Sequence, residues 1–222
     1  GVVTMQMSAA AIWLNTVFAS FDWNITAAIH KLYEIGGGFF TPFFDFISFL
    51  GHEGIPLILI SIFLMLFSRT RKYGTAMLIG LAVGALITNC VLKVLIARAR
   101  PYADQTGLYY SLWQMVGMAT ESDKSFPSGH TTAAFASMIP LWLLGNRKYS
   151  WTALIFAVLM GVARIYLVVH YPTDVIAGIL VGIVGGIAGY LLAAKVIPSR
   201  FYHAKLCLPA KQGRHQKYQG KH

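Results

Sequence analysis

Charge is what this sequence has least of. Only 12% of its 222 residues are Asp, Glu, Lys or Arg, and eight are acidic. A soluble domain carries about 25% charged residues, so the deficit argues against an ordinary water-exposed surface and for a bilayer. Cysteine is almost missing too. Cys90 lies in an apolar stretch and Cys207 in a basic C-terminal segment; a membrane topology would separate them, which argues against a disulfide. No Cys/His cluster has zinc-ligand spacing, so neither a metal nor another cofactor is expected. There is no repeat of fixed period and no linker toward a second domain. No basic segment precedes the first apolar stretch, so a cleaved signal peptide is not expected.

What the chain does have is hydrophobicity, with 56% apolar residues and a mean hydropathy of +0.60. Five stretches, about 53–68, 75–97, 131–145, 151–170 and 174–194, have or approach the roughly 17–25 residues that cross a bilayer. The third is marginal and would cross only with its flanks covered by protein. A shorter run from Ala9 to Phe21 reads as a tilted span, a re-entrant piece or an interfacial helix. The expected fold is all-α: a polytopic membrane bundle of five to six transmembrane helices. One membrane-embedded domain covers 1–195, with N-terminal membrane-associated helices over 9–50, and a basic tail follows over 196–222. Gly36-Gly37-Gly38 hinges two aromatic-rich stretches whose Trp23, Phe39, Phe40, Phe43 and Phe44 suit interfacial anchoring or a lid over a lipid entrance. The long polar connection 101–126 holds Tyr102, Tyr109, Tyr110 and Trp113, suited to substrate contact or to anchoring.

The net charge of +10 would suit nucleic acid, but its distribution does not. Twelve of the eighteen Lys and Arg sit in alternate connections or the tail: Arg69, Arg71, Lys72, Arg147, Lys148, and seven more from Lys195 onward. All eight acids fall in the other segments. The positive-inside rule then puts the basic loops and tail in the cytoplasm, and the 101–126 connection and the 170–174 corner outside. A bilayer, not nucleic acid, is the expected partner.

Three short stretches carry the chemistry. Lys93 and Arg100 are seven residues apart, about two helical turns, and Pro101 is expected to end that helix. Arg98 between them suits snorkelling to headgroups; Lys93, inside the apolar run, calls for a buried anion. Pro127-Ser128-Gly129-His130 reads as a loop feeding a helix. There Gly129 allows close backbone approach and free N–H groups form an anion site. Ser128 is either a phosphate donor or simply a helix N-cap, and His130 is either a general acid or an interfacial histidine. In the third stretch Arg164 is followed by His170, and Asp174 is near enough to orient the His170 ring and leave Nε2 as nucleophile. An Arg–Asp ion pair with a bystander histidine is the plainer alternative. All three stretches are expected at one outer face, which favours phosphoryl transfer.

Together they resemble the three-part signature of the type 2 phosphatidic-acid phosphatase family, K-x6-RP, PSGH and SR-x5-H-x3-D, over Lys93 to Asp174. That family also includes vanadium haloperoxidases and glucose-6-phosphatase. The resemblance implies that His170 attacks phosphorus and forms a phosphohistidine, and that Asp174 holds its tautomer. It implies that His130 protonates the leaving oxygen and then activates water. Lys93, Arg100, Arg164, Ser128 and Gly129 would bind the phosphate oxygens, three cations standing in for a metal. Ala163 departs from the family's Ser. The implied function is an extracytoplasmic lipid phosphatase acting on a polyprenyl diphosphate such as undecaprenyl pyrophosphate, or on phosphatidylglycerol phosphate or phosphatidic acid. A lipid phosphotransferase and a non-catalytic lipid-phosphate binder or flippase are the alternatives.

Overall fold

The computed structural model describes residues 7–203; Cys207 and most of the basic tail lie outside them. The described residues form helices α1 (Ala9–Val17), α2 (Ala19–Gly36), α3 (Thr41–Leu50), α4 (Ile55–Leu66), α5 (Arg71–Ala85), α6 (Lys93–Ile96), α7 (Leu108–Met115), α8 (Gly129–Leu144), α9 (Arg147–Ser150), α10 (Thr152–Tyr166), α11 (Pro172–Leu191) and α12 (Ser199–His203). A π-helical segment, Leu86–Leu92, joins α5 to α6. Among the described residues, four segments are long and apolar enough to cross a membrane: Thr41–Leu66, Arg71–Ala103, Arg147–Tyr166 and Pro172–Val196.

α8 is the hub. At 16 residues it is short for a span, as its sequence anticipated, yet α5, α10 and α11 pack around it. Protein therefore covers the flanks that lipid could not. Close approach rests on small residues, because van der Waals contact rather than a hydrophobic driving force holds helices together in lipid. A Cβ on Gly80 would stand 2.3 Å from the Ala136 carbonyl oxygen, and one on Gly189 2.2 Å from that of Ala76. Gly178, Gly182 and Gly186, one turn apart on α11, face Ser128, Phe135 and Ile139 in the same way.

The aromatic stretch 39–50 divides its roles. Phe39, Phe43, Phe46 and Phe49 are exposed, while Phe44 is buried with its ring 4.4 Å from Tyr166. α3 is thus packed into the body against α10. The bundle has two dissimilar ends. Tyr73 donates to the Leu144 carbonyl (3.3 Å) and Arg71 to that of Phe201 (3.1 Å), gathering the basic connections at one end. At the other, the Ser125 N–H bonds the Arg98 carbonyl (2.9 Å) and the Ser128 N–H that of Asp174 (3.0 Å). All three motifs meet at this second end.

One local expectation fails. The Lys93 helix stops at Ile96, Ala97 turns left-handed (φ 48°), and residues 97–100 carry no regular secondary structure. Arg100 precedes proline and is driven out of the helical region (φ −70°, ψ 153°). Lys93 and Arg100 therefore converge through a bend, not along one helix face.

Candidate active site

A cavity of about 470 Å³ opens at the motif end, with Lys93, Arg100, Gly129, His130 and His170 on its wall. It continues inward past Ile58, Leu78, Leu81, Ala82 and Ala85, an apolar floor between α4 and α5. Five of the eight expected site residues thus face one space. Arg164, Ser128 and Asp174 stand behind the wall.

The geometry around His170 constrains its protonation. Arg100 Nη1 lies 2.8 Å from His170 Nε2 and also donates to the Val169 carbonyl (2.8 Å). The same Nη1 is 3.4 Å from Nδ1; because a guanidinium only donates, the nearer nitrogen, Nε2, is assigned the lone pair and Nδ1 the proton. That nitrogen is 3.6 Å from Asp174 Oδ2, longer than a hydrogen bond but close enough for the charges to interact. His170 itself is buried. Burial, followed by Arg100, Arg164 and Lys93, pushes its pKa well below the usual histidine value, which keeps it neutral at pH 7.

Ser128 is the N-cap of α8. Its hydroxyl lies 2.9 Å from Thr131 Oγ1 and accepts from the Thr131 N–H, which matches the capping alternative. Arg164 donates to Ser48 and Glu121. Its Nε is a buried donor with no acceptor among the described residues, and in an interior such a donor calls for an acceptor. Ala163 is fully buried in the apolar core and is not on the cavity wall.

Several residues were not anticipated. Asp123 takes hydrogen bonds from both Lys93 and Arg100, and Glu121 takes one from Arg164. Two loop carboxylates thus stand on the cations expected to hold phosphate. Burial pushes the Asp123 carboxyl up, but Lys93 and Arg100 outweigh it and hold it below the usual carboxylate value. The larger correction concerns Arg98. It does not snorkel: it is 1% exposed and bonds Asp174 Oδ1 (2.7 Å), Asp22 Oδ2 (2.9 Å) and Thr173 Oγ1 (2.7 Å), with its guanidinium 3.8 Å from the Tyr171 ring centre. An interior Arg and the single acid of the first thirty residues, Asp22, each needed a partner. That was the legible signal, and they are partners. The loop aromatics hold the loop itself: Tyr102 stacks on Trp113 (4.7 Å), and Trp113 donates to the Ala119 carbonyl (2.7 Å).

A helical membrane body with two histidines and a cluster of cations around one cavity suits the chemistry of a membrane lipid phosphatase. The comparisons with known proteins agree. The PAP2 superfamily matches residues 69–198, and the chain belongs to that family. It is 34% identical over 166 residues to the undecaprenyl-diphosphatase BcrC of Bacillus subtilis, covering 74% of this chain and 80% of that protein. It is 34% identical over 138 residues to an undecaprenyl-diphosphatase of Sulfolobus acidocaldarius, of whose length it spans 63%. The crystal structure of a transmembrane PAP2-type phosphatidylglycerolphosphate phosphatase from Bacillus subtilis superposes with a TM-score of 0.63 at 25% identity, over 85% of this chain and 92% of the other.

Proposed function

We propose that this enzyme hydrolyses a polyprenyl diphosphate, with undecaprenyl diphosphate the favoured substrate, through a phosphohistidine on His170. The observation that carries the reading is the placement of His170 on the wall of a cavity whose polar mouth gives way to an apolar floor, with Nε2 accepting from Arg100, a donor that an arriving phosphate draws away to free the lone pair. Nε2 attacks phosphorus as the bond to the leaving oxygen breaks. Burial and Arg164 hold the His130 pKa well below the usual histidine value. The negative charge of the arriving diphosphate raises it, so that His130 takes up a proton and gives it to the leaving oxygen. His130 then takes a proton from water, whose oxygen attacks phosphorus as the P–Nε2 bond breaks and returns its electron pair to His170; phosphate leaves and both histidines are restored. Lys93, Arg100 and Arg164 offset the charge on the equatorial oxygens, where most of the rate enhancement in phosphoryl transfer resides. An arriving phosphate takes over the hydrogen bonds now made to Asp123 and Glu121. Keeping both histidines favours hydrolysis over mere binding, which needs only the cations.

The test is phosphate release by the purified full chain in detergent against polyprenyl diphosphate, phosphatidylglycerol phosphate and phosphatidic acid, with EDTA present. Release without added metal, and its block by vanadate, are expected. Loss on chelation with rescue by Mg2+ would overturn the metal-free route, and preference for a glycerolipid would replace the substrate. We also place the site outside the cytoplasm, because the basic connections gather at the opposite end. In a variant lacking Cys90 and Cys207, Thr106→Cys should react with an impermeant maleimide on intact cells. Gln212→Cys should react only after permeabilisation. The reverse pattern would exclude carrier lipid on the outer leaflet as substrate.

A further inference from the structure

Asp22 lies on α2, outside residues 69–198 that match the family, yet it reaches the charge cluster behind the nucleophile. We propose that Asp22 and Arg98 form a positioning pair for phosphoryl transfer, fixing the Asp174 carboxylate and setting the charge behind His170. The proposal rests on the reading of His170 as nucleophile.

The geometry leaves Asp174 one orientation. Its Oδ1 accepts from Arg98 (2.7 Å), and its Oδ2 from the Ser125 hydroxyl and the Tyr171 N–H (3.0 Å), with that same Oδ2 turned to His170 Nδ1. Arg98 is fixed in turn. Asn15 accepts from its Nε (2.7 Å), and Asp22 accepts from its Nη2 (2.9 Å) and from the Thr173 N–H (2.8 Å) and hydroxyl (2.9 Å). Asp22, Arg98 and Asp174 are 1%, 1% and 0% exposed, so water does not screen them.

Charge supplies the second argument. Arg98 by itself would cancel Asp174 and leave nothing to favour the cationic imidazole that forms when Nε2 bonds phosphorus. Asp22 restores one net negative charge to the trio. This matters because Lys93, Arg100 and Arg164 face His170 from the other side, with His130 from α8, and are opposed by Asp123 and Glu121 of the loop. Once phosphate displaces these two carboxylates, the Asp22–Arg98–Asp174 trio is the negative charge that stays beside the ring. A bridge kept for stability alone needs neither this proximity nor this charge count.

The experiment compares Asp22→Asn, Arg98→Gln and the double variant, as full chains in detergent, on polyprenyl diphosphate and on an aryl phosphate with a good leaving group. Asp22→Asn should lower kcat about tenfold with KM little changed. It should move the acid limb of the kcat/KM profile down by about one pH unit, since less negative charge behind His170 makes its protonated form less stable. Arg98→Gln strands two carboxylates and should cost more. The double variant again carries one negative charge and should outperform Arg98→Gln alone. Asp22→Glu, which keeps the charge, should keep the acid limb in place and covers the case in which a neutral variant fails to fold. Additive losses with an unmoved acid limb would leave only a structural ion pair. Wild-type inactivity on every lipid phosphate would instead overturn the functional reading. An NMR titration of the His170 ring, identified by its loss in His170→Gln, would still report whether Asp22→Asn lowers its pKa; an unmoved ring would overturn the positioning role.

Discussion

The two sides of His170 carry similar groups held in opposite ways. Behind the ring, Arg98 is paired with Asp22 and Asp174, all sealed from water. In front, Arg100 and Lys93 are paired with Asp123, whose side chain is 47% exposed and belongs to a loop. Arg98 and Arg100 are two residues apart in one irregular segment. Buried counterions that also bond backbone are permanent parts of the fold; a half-exposed loop carboxylate is exchangeable, because water stabilises it when it leaves. On the proposed mechanism, the buried side would orient His170 and the exchangeable side would make room for substrate.

The sharpest break in this comparison is removal of the ring between the two sides. His170→Ala should abolish a radiolabelled phosphoenzyme and cut turnover by about 10⁴-fold or more. His130→Ala should cost about 10²–10⁴-fold yet still let His170 be phosphorylated by a substrate with a good leaving group. A fully active His170→Ala enzyme would refute the assignment.

On the exchangeable side, Asp123→Asn removes a competitor for Lys93 and Arg100. Vanadate should then inhibit at about tenfold lower concentration, the order of one charge-assisted hydrogen bond of about 1.5–3 kcal/mol. The Asp123 pKa is held below the usual carboxylate range, so near neutral pH the wild-type contact stays ionised and the gain should not vary with pH. Weaker vanadate inhibition would mean that Asp123 assists the anion instead of standing in for it.

The permanent side depends on the bundle that carries it, and Gly80→Ala probes that support. The added Cβ meets the Ala136 carbonyl, so α5 and α8 must separate, at a cost of about 1–3 kcal/mol. Thermal unfolding in detergent should come several degrees earlier. An unchanged midpoint would show that the helices yield without penalty. The smallest effect is expected at Ala163→Ser. The residue is sealed in the core away from the cavity, and a new hydroxyl there can bond back to its own helix. Activity should stay within about threefold, well under the value of a full bond to phosphate. A rise toward a hundredfold would put position 163 in the phosphate shell after all.

Composition and spacing by themselves determined the all-helical membrane class, the marginal length of α8, the clustering of basic connections, and the residues at the motif end. These are properties of short windows: apolar runs long enough for a bilayer, and costly polar groups that must share a purpose. The partners of those polar groups were decided only by tertiary structure. Asp22 and Arg98 are 76 residues apart, and no local periodicity links them. Asp123 and Glu121 on the cations, and Phe44 turned inward, follow from which helix end meets which loop. So does the bend at Ala97, where the restriction imposed by Pro101 on its predecessor and the pull of three acids, Asp22 and Asp174 on Arg98 and Asp123 on Arg100, overrode a helix that spacing alone had suggested. Hydropathy is read along the chain, but a buried charge is satisfied across it, and only the folded bundle brings the two ends of each bond together.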